Sequence, residues 1–150
     1  MNAKIFALAA VTALVLGIAP MAKAADKGCT NASLRGTFAF RGTGVVFDPS
    51  GVATLNVVFA QTFDGNGTLT STGVQSHNGN ILQITQTGTY TVNPDCTGTY
   101  TAKVSPIGLT VHFFFIIADG GNTLEVLSID PTTAISGTAR RQFPTGDWRE

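Results

Sequence analysis

Between residues 34 and 143, apolar and polar residues alternate with a period of two in about eight stretches, broken at short intervals by glycine-rich segments. Successive side chains on a strand point to opposite faces, so this period predicts half-buried β-strands. The expected strands span residues 35–47, 52–63, 68–76, 81–92, 97–105, 109–118, 123–130 and 134–143. The intervening segments Asp64-Gly65-Asn66-Gly67, His77-Asn78-Gly79-Asn80, Asn93-Pro94-Asp95 and Asp119-Gly120-Gly121-Asn122 supply positive φ, or the preset φ of proline, where antiparallel strands reverse. Eight strands joined by short turns form a meander. Several run to ten residues or more, which suits the tilted strands of a closed barrel, and closure removes the edges an open meander leaves. The expected fold is all-β: an eight-stranded antiparallel up-and-down barrel, calycin-like in form.

The same alternation assigns faces. In residues 81–92, Thr85, Thr87, Thr89 and Thr91 share one side, while Leu82, Ile84, Gln86, Gly88, Tyr90 and Val92 share the other, which faces the core. Leu55, Val57, Phe59, Gln61 and Phe63 point inward by the same count, as do Tyr100, Ala102 and Val104. Phe38 and Phe40 are inward too, followed by Gly42 and Gly44, whose missing side chains either permit a sharp bend or leave interior room. Residues 109–118 differ, because Val111 to Ala118 is apolar in both phases and needs cover on its outer side. The candidates for that cover are the C-terminal tail, with Phe143, Pro144 and Trp148, and a neighbouring subunit, so a homo-oligomer is expected.

Composition changes the picture at the N-terminus. A basic start at Met1 to Lys4, an apolar run of about fifteen residues and Ala22-Lys23-Ala24 predict a signal peptide cleaved after Ala24. The run is shorter than the roughly 20 residues that span a bilayer. Residues 1–24 are therefore read as a signal and 25–150 as one domain, exported to the periplasm or beyond the cell. That domain holds seven basic residues against nine acidic, a net charge of −2 with histidines neutral, and only Arg140-Arg141 are adjacent cations. This excludes the clustered positive charge of a nucleic-acid binder. No later stretch is long enough to cross a membrane as a helix. The 21 threonines of the domain fit an exposed pleated face. Cys29 and Cys96, an even pair in an oxidising compartment, are expected to form a disulfide tying the leader to the turn after the fourth strand.

Candidate chemistry is sparse. Asp64-Gly65-Asn66-Gly67-Thr68 resembles the opening of a calcium loop, but its twelfth position is Gln75 where a bidentate glutamate belongs, so a hairpin turn is the better reading. No metal and no cofactor is expected. His112 and Glu125 are weak candidates for a catalytic acid/base pair if their strands are neighbours; the competing reading is a satisfied histidine and a glutamate paired with a cation such as Arg140. No serine lies in a G-x-S-x-G context and no H-E-x-x-H occurs.

The segments Leu34-Arg35-Gly36-Thr37-Phe38-Ala39-Phe40, Thr62-Phe63-Asp64-Gly65-Asn66-Gly67, Gly88 to Thr99 and Gly137-Thr138-Ala139-Arg140-Arg141-Gln142 resemble those of small secreted bacterial domains of unassigned function, which are similar to the allene oxide cyclase barrel. The resemblance spans essentially all of residues 25–150. It implies an eight-stranded antiparallel barrel with an apolar cavity, but no cyclase active-site residue can be matched here, so no catalytic role is carried over. Three functions follow in order of preference. The first is binding of a small apolar or aromatic ligand inside the barrel, oriented by the inward polar residues Gln61, Gln86, Tyr90 and Tyr100. The second is a surface or envelope role for the threonine-rich faces. The third is a cyclase or isomerase in which His112 or Glu125 moves a proton.

Overall fold

The computed structural model describes residues 28–143. The expected signal peptide, 1–24, and the tail residues Pro144 and Trp148 lie outside them. Eight strands follow in chain order: β1 (Gly36–Asp48), β2 (Gly51–Phe63), β3 (Thr68–His77), β4 (Asn80–Val92), β5 (Thr97–Ser105), β6 (Leu109–Ala118), β7 (Thr123–Ser128) and β8 (Thr133–Arg141). Each pairs antiparallel with the next, and β1 pairs with β8 to close the barrel. The expected strand count, order and bounds are matched to within two residues everywhere. The reversals are made by the expected chemistry, as at Asn78-Gly79, where φ values of 47° and 85° give the primed turn whose twist suits a two-residue hairpin.

The inward face follows the alternation. Phe38, Phe40, Phe59, Phe63, Leu69, Tyr90, Tyr100, Phe113, Phe115 and Leu124 form one core cluster, while the threonines of β3 to β5 line the outside. The inward glycines leave no interior room. A Cβ on Gly44 would lie 2.0 Å from the Ala134 carbonyl oxygen, and one on Gly88 would lie 2.0 Å from that of Thr101. Neighbouring strands thus approach too closely there for any side chain. Gly42 is covered by the Phe40 ring, 2.7 Å from where its Cβ would stand.

The up-and-down path gives the barrel two distinct ends. At the end carrying the β2–β3, β4–β5 and β6–β7 turns, a short 3-10 helix, Asn31–Leu34, lies across the opening and buries Leu34 completely. Cys29 and Cys96 are disulfide-bonded there. The Tyr90 hydroxyl donates to the Asn31 carbonyl (3.0 Å), and the Asn31 side-chain oxygen accepts from Val92 N–H (2.8 Å). Arg141 lies 4.5 Å over the Phe38 ring, and its guanidinium donates to the carbonyls of Arg35, Ser33 and Gly121. This end is plugged, and Asn31, Tyr90 and Arg141 are paired in holding the plug. The other end, with the β1–β2, β3–β4, β5–β6 and β7–β8 connections, has no such plug among the described residues.

Candidate ligand-binding site

The unplugged end opens into a cavity of about 430 Å³. Its walls are Leu55, Val57, Ile84, Val104, Val111 and Ile135. Phe40, Phe59 and Phe113 lie deeper, and Phe47, Ile107 and Leu109 stand at the rim. Phe47 stands in the outward phase near the end of β1; each of the other side chains occupies the inward phase of its strand or the loop just above it. Phe40 and Phe59 stack with ring centres 4.6 Å apart, making one aromatic wall; Phe113 stacks on Tyr100 at 4.8 Å, making another. Gln75, His77, Gln86 and Thr133 supply sparse polar atoms. The size and mixture are those of a small-molecule pocket, apolar with a few placed polar groups.

Of the four polar residues singled out in the sequence, Gln86 lines this cavity, and Gln61 and Tyr100 are buried deeper in the barrel. Gln61, Ser71 and Gln86 are in register across β2, β3 and β4. All three are buried, and Ser71 donates to the Gln86 side-chain oxygen at 3.0 Å. Gln61 and Tyr100 are also sealed from solvent, and the Gln61 amide oxygen and nitrogen and the Tyr100 hydroxyl have no hydrogen-bond partner. Burial pushes the Tyr100 phenol well above the ordinary tyrosine range, with the nearby Gln61 amide opposing the rise, so the hydroxyl keeps its proton. Tyr90 stands apart. Its hydroxyl is bonded to the plug, so it contributes structure at the closed end and no free group to the cavity.

The proposed acid/base pair does not assemble. Glu125 lies opposite Ile116 on the outer wall and accepts from the Thr138 hydroxyl (3.0 Å). His112 lies four residues away along β6, also facing out, and its Nδ1 meets the Asp130 carboxylate at 2.7 Å. The partner of His112 is therefore Asp130, which the bend after β7 carries back over β6, where its other oxygen accepts from His112 N–H (2.8 Å). The calcium-like segment is a turn in which Asp64 Oδ1 accepts from the backbone N–H groups of Asn66, Gly67 and Thr68. Among the described residues no cluster of three or more histidine, cysteine or acidic side chains is placed to hold a metal.

No protein-family model matches the chain, and no curated protein matches it. Among solved structures it is similar to mFAP1, a redesigned β-barrel determined bound to DFHBI. The TM-score is 0.50 at 18% identity, covering 74% of this chain and 97% of that one. The chain is a closed eight-stranded barrel. At that identity the likeness concerns fold alone.

Ser71, Gln75 and His77 were missed in the sequence. The inward phase of β3 is anchored by a single large apolar residue, Leu69, so its polar members read as exposed. Counting in twos from Leu69 reaches all three. The rim residues Phe47, Ile107 and Leu109 carried no such signal, because nothing local tells which end of a barrel is plugged.

The outer wall holds a second concave surface. Val58, Phe114, Ile116 and Leu127 border a shallow groove floored by Thr43, Ser136 and Thr138, with Arg41 and Glu125 along it. Phe114 is half-buried, and Ile116 and Leu127 are 47% and 51% exposed, so the outer phase of β6 is only partly covered within the described chain.

Proposed function

We propose that the protein is an exported barrel that takes a small, largely apolar molecule into its unplugged end and does not turn it over. The observation that carries this is the 430 Å³ cavity, floored by the rings of Phe40, Phe59 and Phe113 and open at the unplugged end. Gln61, Gln86 and Tyr100 are the polar groups within reach of its floor, and Tyr90 is left to the plug. The solved mFAP1 barrel with DFHBI bound is consistent with ligand binding in this architecture. Export draws support from the disulfide, and no helix of the described residues is long and apolar enough to cross a membrane. The kinship with allene oxide cyclase-like barrels is part of the same proposal and rests on the turn and strand motifs.

The test uses N-phenyl-1-naphthylamine, a neutral probe that fluoresces in apolar surroundings. Native protein is expected to bind it, and Leu55→Trp or Val111→Trp, which fill the mouth, are expected to abolish binding while Val58→Trp on the outer wall leaves it intact. Equal binding by all three variants would remove the cavity reading. The glycines that line the wall are unsuited to this test, since a leucine at Gly44 or Gly88 strikes backbone.

A second reading has its own observation. Thr70 and Thr87, Thr72 and Thr85, and Thr89 and Thr101 sit opposite one another across β3–β4 and β4–β5, forming an exposed threonine lattice suited to contact with a polymer or a neighbouring protein. A homo-oligomer, if formed, would use the groove of Val58, Ile116 and Leu127, and light scattering on native protein and on Ile116→Lys tests it.

A further inference from the structure

Resting on the cavity reading, we propose that the ligand carries one uncharged hydroxyl group, an alcohol or phenol, and that Gln61 and Tyr100 bind it at the inner end of the barrel. Buried polar atoms in folded proteins nearly always have partners, and an unpaired one costs the full loss of its hydration. Here three are without one, the Gln61 amide oxygen, its amide nitrogen and the Tyr100 hydroxyl, and the amide lies close enough to the phenol to oppose the effect of its burial. The two side chains are 0% and 1% exposed. They offer both donors and acceptors, so the group that satisfies them must both accept and donate, as a hydroxyl does.

The position suits the inner end of a ligand entering from the mouth. Gln61 is the next inward residue after Phe59 on β2, about 7 Å further from the mouth at the strand rise. Tyr100 is the partner of Phe113 across β5 and β6 and stacks on its ring. Phe59 and Phe113 both line the cavity and Gln61 and Tyr100 do not, so the unpaired atoms lie next to, and beyond, the rings of its floor. A ring-bearing molecule that parts these rings stacks on them and brings its hydroxyl to Gln61 and Tyr100. Gln86 stands beside the path with its side-chain oxygen already bonded by Ser71.

Charge decides against an anionic head group. Among the described residues no charged side chain is buried or lines the cavity, where His77, near the rim, is the titratable group. Arg141, a cation at the plugged end of the barrel, has the Phe38 ring against it, and its nitrogens donate to three plug carbonyls. A carboxylate drawn to Gln61 and Tyr100 would be buried with neutral donors only, which does not offset the loss of its hydration. A plain hydrocarbon would leave the three atoms unpaired.

The experiment measures displacement of N-phenyl-1-naphthylamine from the disulfide-bonded protein by 2-naphthol, 2-methylnaphthalene and 2-naphthoate, near-equal in size and different at one group. The expected result is that 2-naphthol competes about tenfold more strongly than the other two, the value of one to two net hydrogen bonds. That preference should fall below about threefold in Gln61→Met and Tyr100→Phe, which keep the volume and remove the unpaired atoms. The free variants should melt at or above the native temperature, because an unpaired buried polar group is a cost to the empty protein. Equal competition by the three compounds, with the probe still bound, overturns this inference and leaves the cavity reading standing. So does stronger competition by 2-naphthoate, or a lower melting temperature in both variants, which would mean that internal water already satisfies the pair. If native protein binds no probe at all, the cavity reading falls and this inference with it.

Discussion

The two ends of this barrel are built from one pattern and finished in opposite ways. At the closed end the core is lidded by Leu34, held by the Cys29–Cys96 bond and pinned by Arg141, whose guanidinium satisfies three carbonyls at once. At the open end Phe47, Ile107 and Leu109 are each about half exposed around a cavity; beyond its floor, in register with Phe38 and Tyr90 of the closed half, Gln61 and Tyr100 hold unpaired polar atoms. Apolar side chains are sealed at the plugged end and left partly exposed around the cavity at the other. A single barrel thereby separates a sealed end from an open one along its axis, with the strands as the common wall.

The sharpest way to break this division is to remove one aromatic ring from each end. Phe115 is fully buried, and its ring lies over the backbone of Gly98, so Phe115→Ala should cost about 3 to 5 kcal/mol in denaturant unfolding. Phe47 is 48% exposed at the rim, and Phe47→Ala should cost less than about 1 kcal/mol while weakening uptake of the naphthylamine probe. Similar losses of stability from the two would mean that the ends do not differ in the way described.

Removing the disulfide acts on the closed end alone. The bond closes a loop of 67 residues, which in the chain-entropy account contributes about 4 kcal/mol through the unfolded chain. Cys29→Ala with Cys96→Ala is expected to lower unfolding stability by about 2 to 5 kcal/mol. Probe affinity, measured at a temperature where the variant is still folded, should change little. A large loss of affinity would show that the plug shapes the cavity from behind.

The smallest effect expected concerns acid. Asp64 and Asp95, in the β2–β3 and β4–β5 turns of the closed end, have carboxyls held below the ordinary range, Asp64 chiefly by the Thr68 backbone N–H and Asp95 chiefly by the Thr97 hydroxyl. Each therefore binds a proton less readily in the folded protein than in the unfolded chain. Their stabilisation is complete above the unfolded carboxylate value, near 3.8, and is lost as pH falls through the lower folded values. Thermal melting should shift downward through this acid range, and the slope should flatten in the double variant Asp64→Asn, Asp95→Asn, which keeps an acceptor oxygen without its titration. An unchanged slope would assign acid sensitivity elsewhere.

Much of this molecule was legible before any coordinates. Strand number, strand bounds, the inward set from Phe38 to Val104 and the Cys29–Cys96 pair all follow from short-range rules: side chains alternate with a period of two, turns need positive φ or proline, and an even cysteine pair in an oxidising compartment joins. Each rule acts over a few residues, or on the chain as a whole, so the order of the amino acids suffices. Tertiary structure decided what depends on distance between segments far apart in the chain. Closure brought β8 against β1 and turned Gly44 from a source of space into a point of backbone contact. The chain passing across one end took the Tyr90 hydroxyl for itself, and the bend after β7 gave His112 to Asp130 in place of Glu125. Gln61 and Tyr100 could be placed inside from the sequence, but their lack of partners could not. Whether a buried polar atom is satisfied depends on every neighbour that reaches it, and those neighbours are set by closing the barrel.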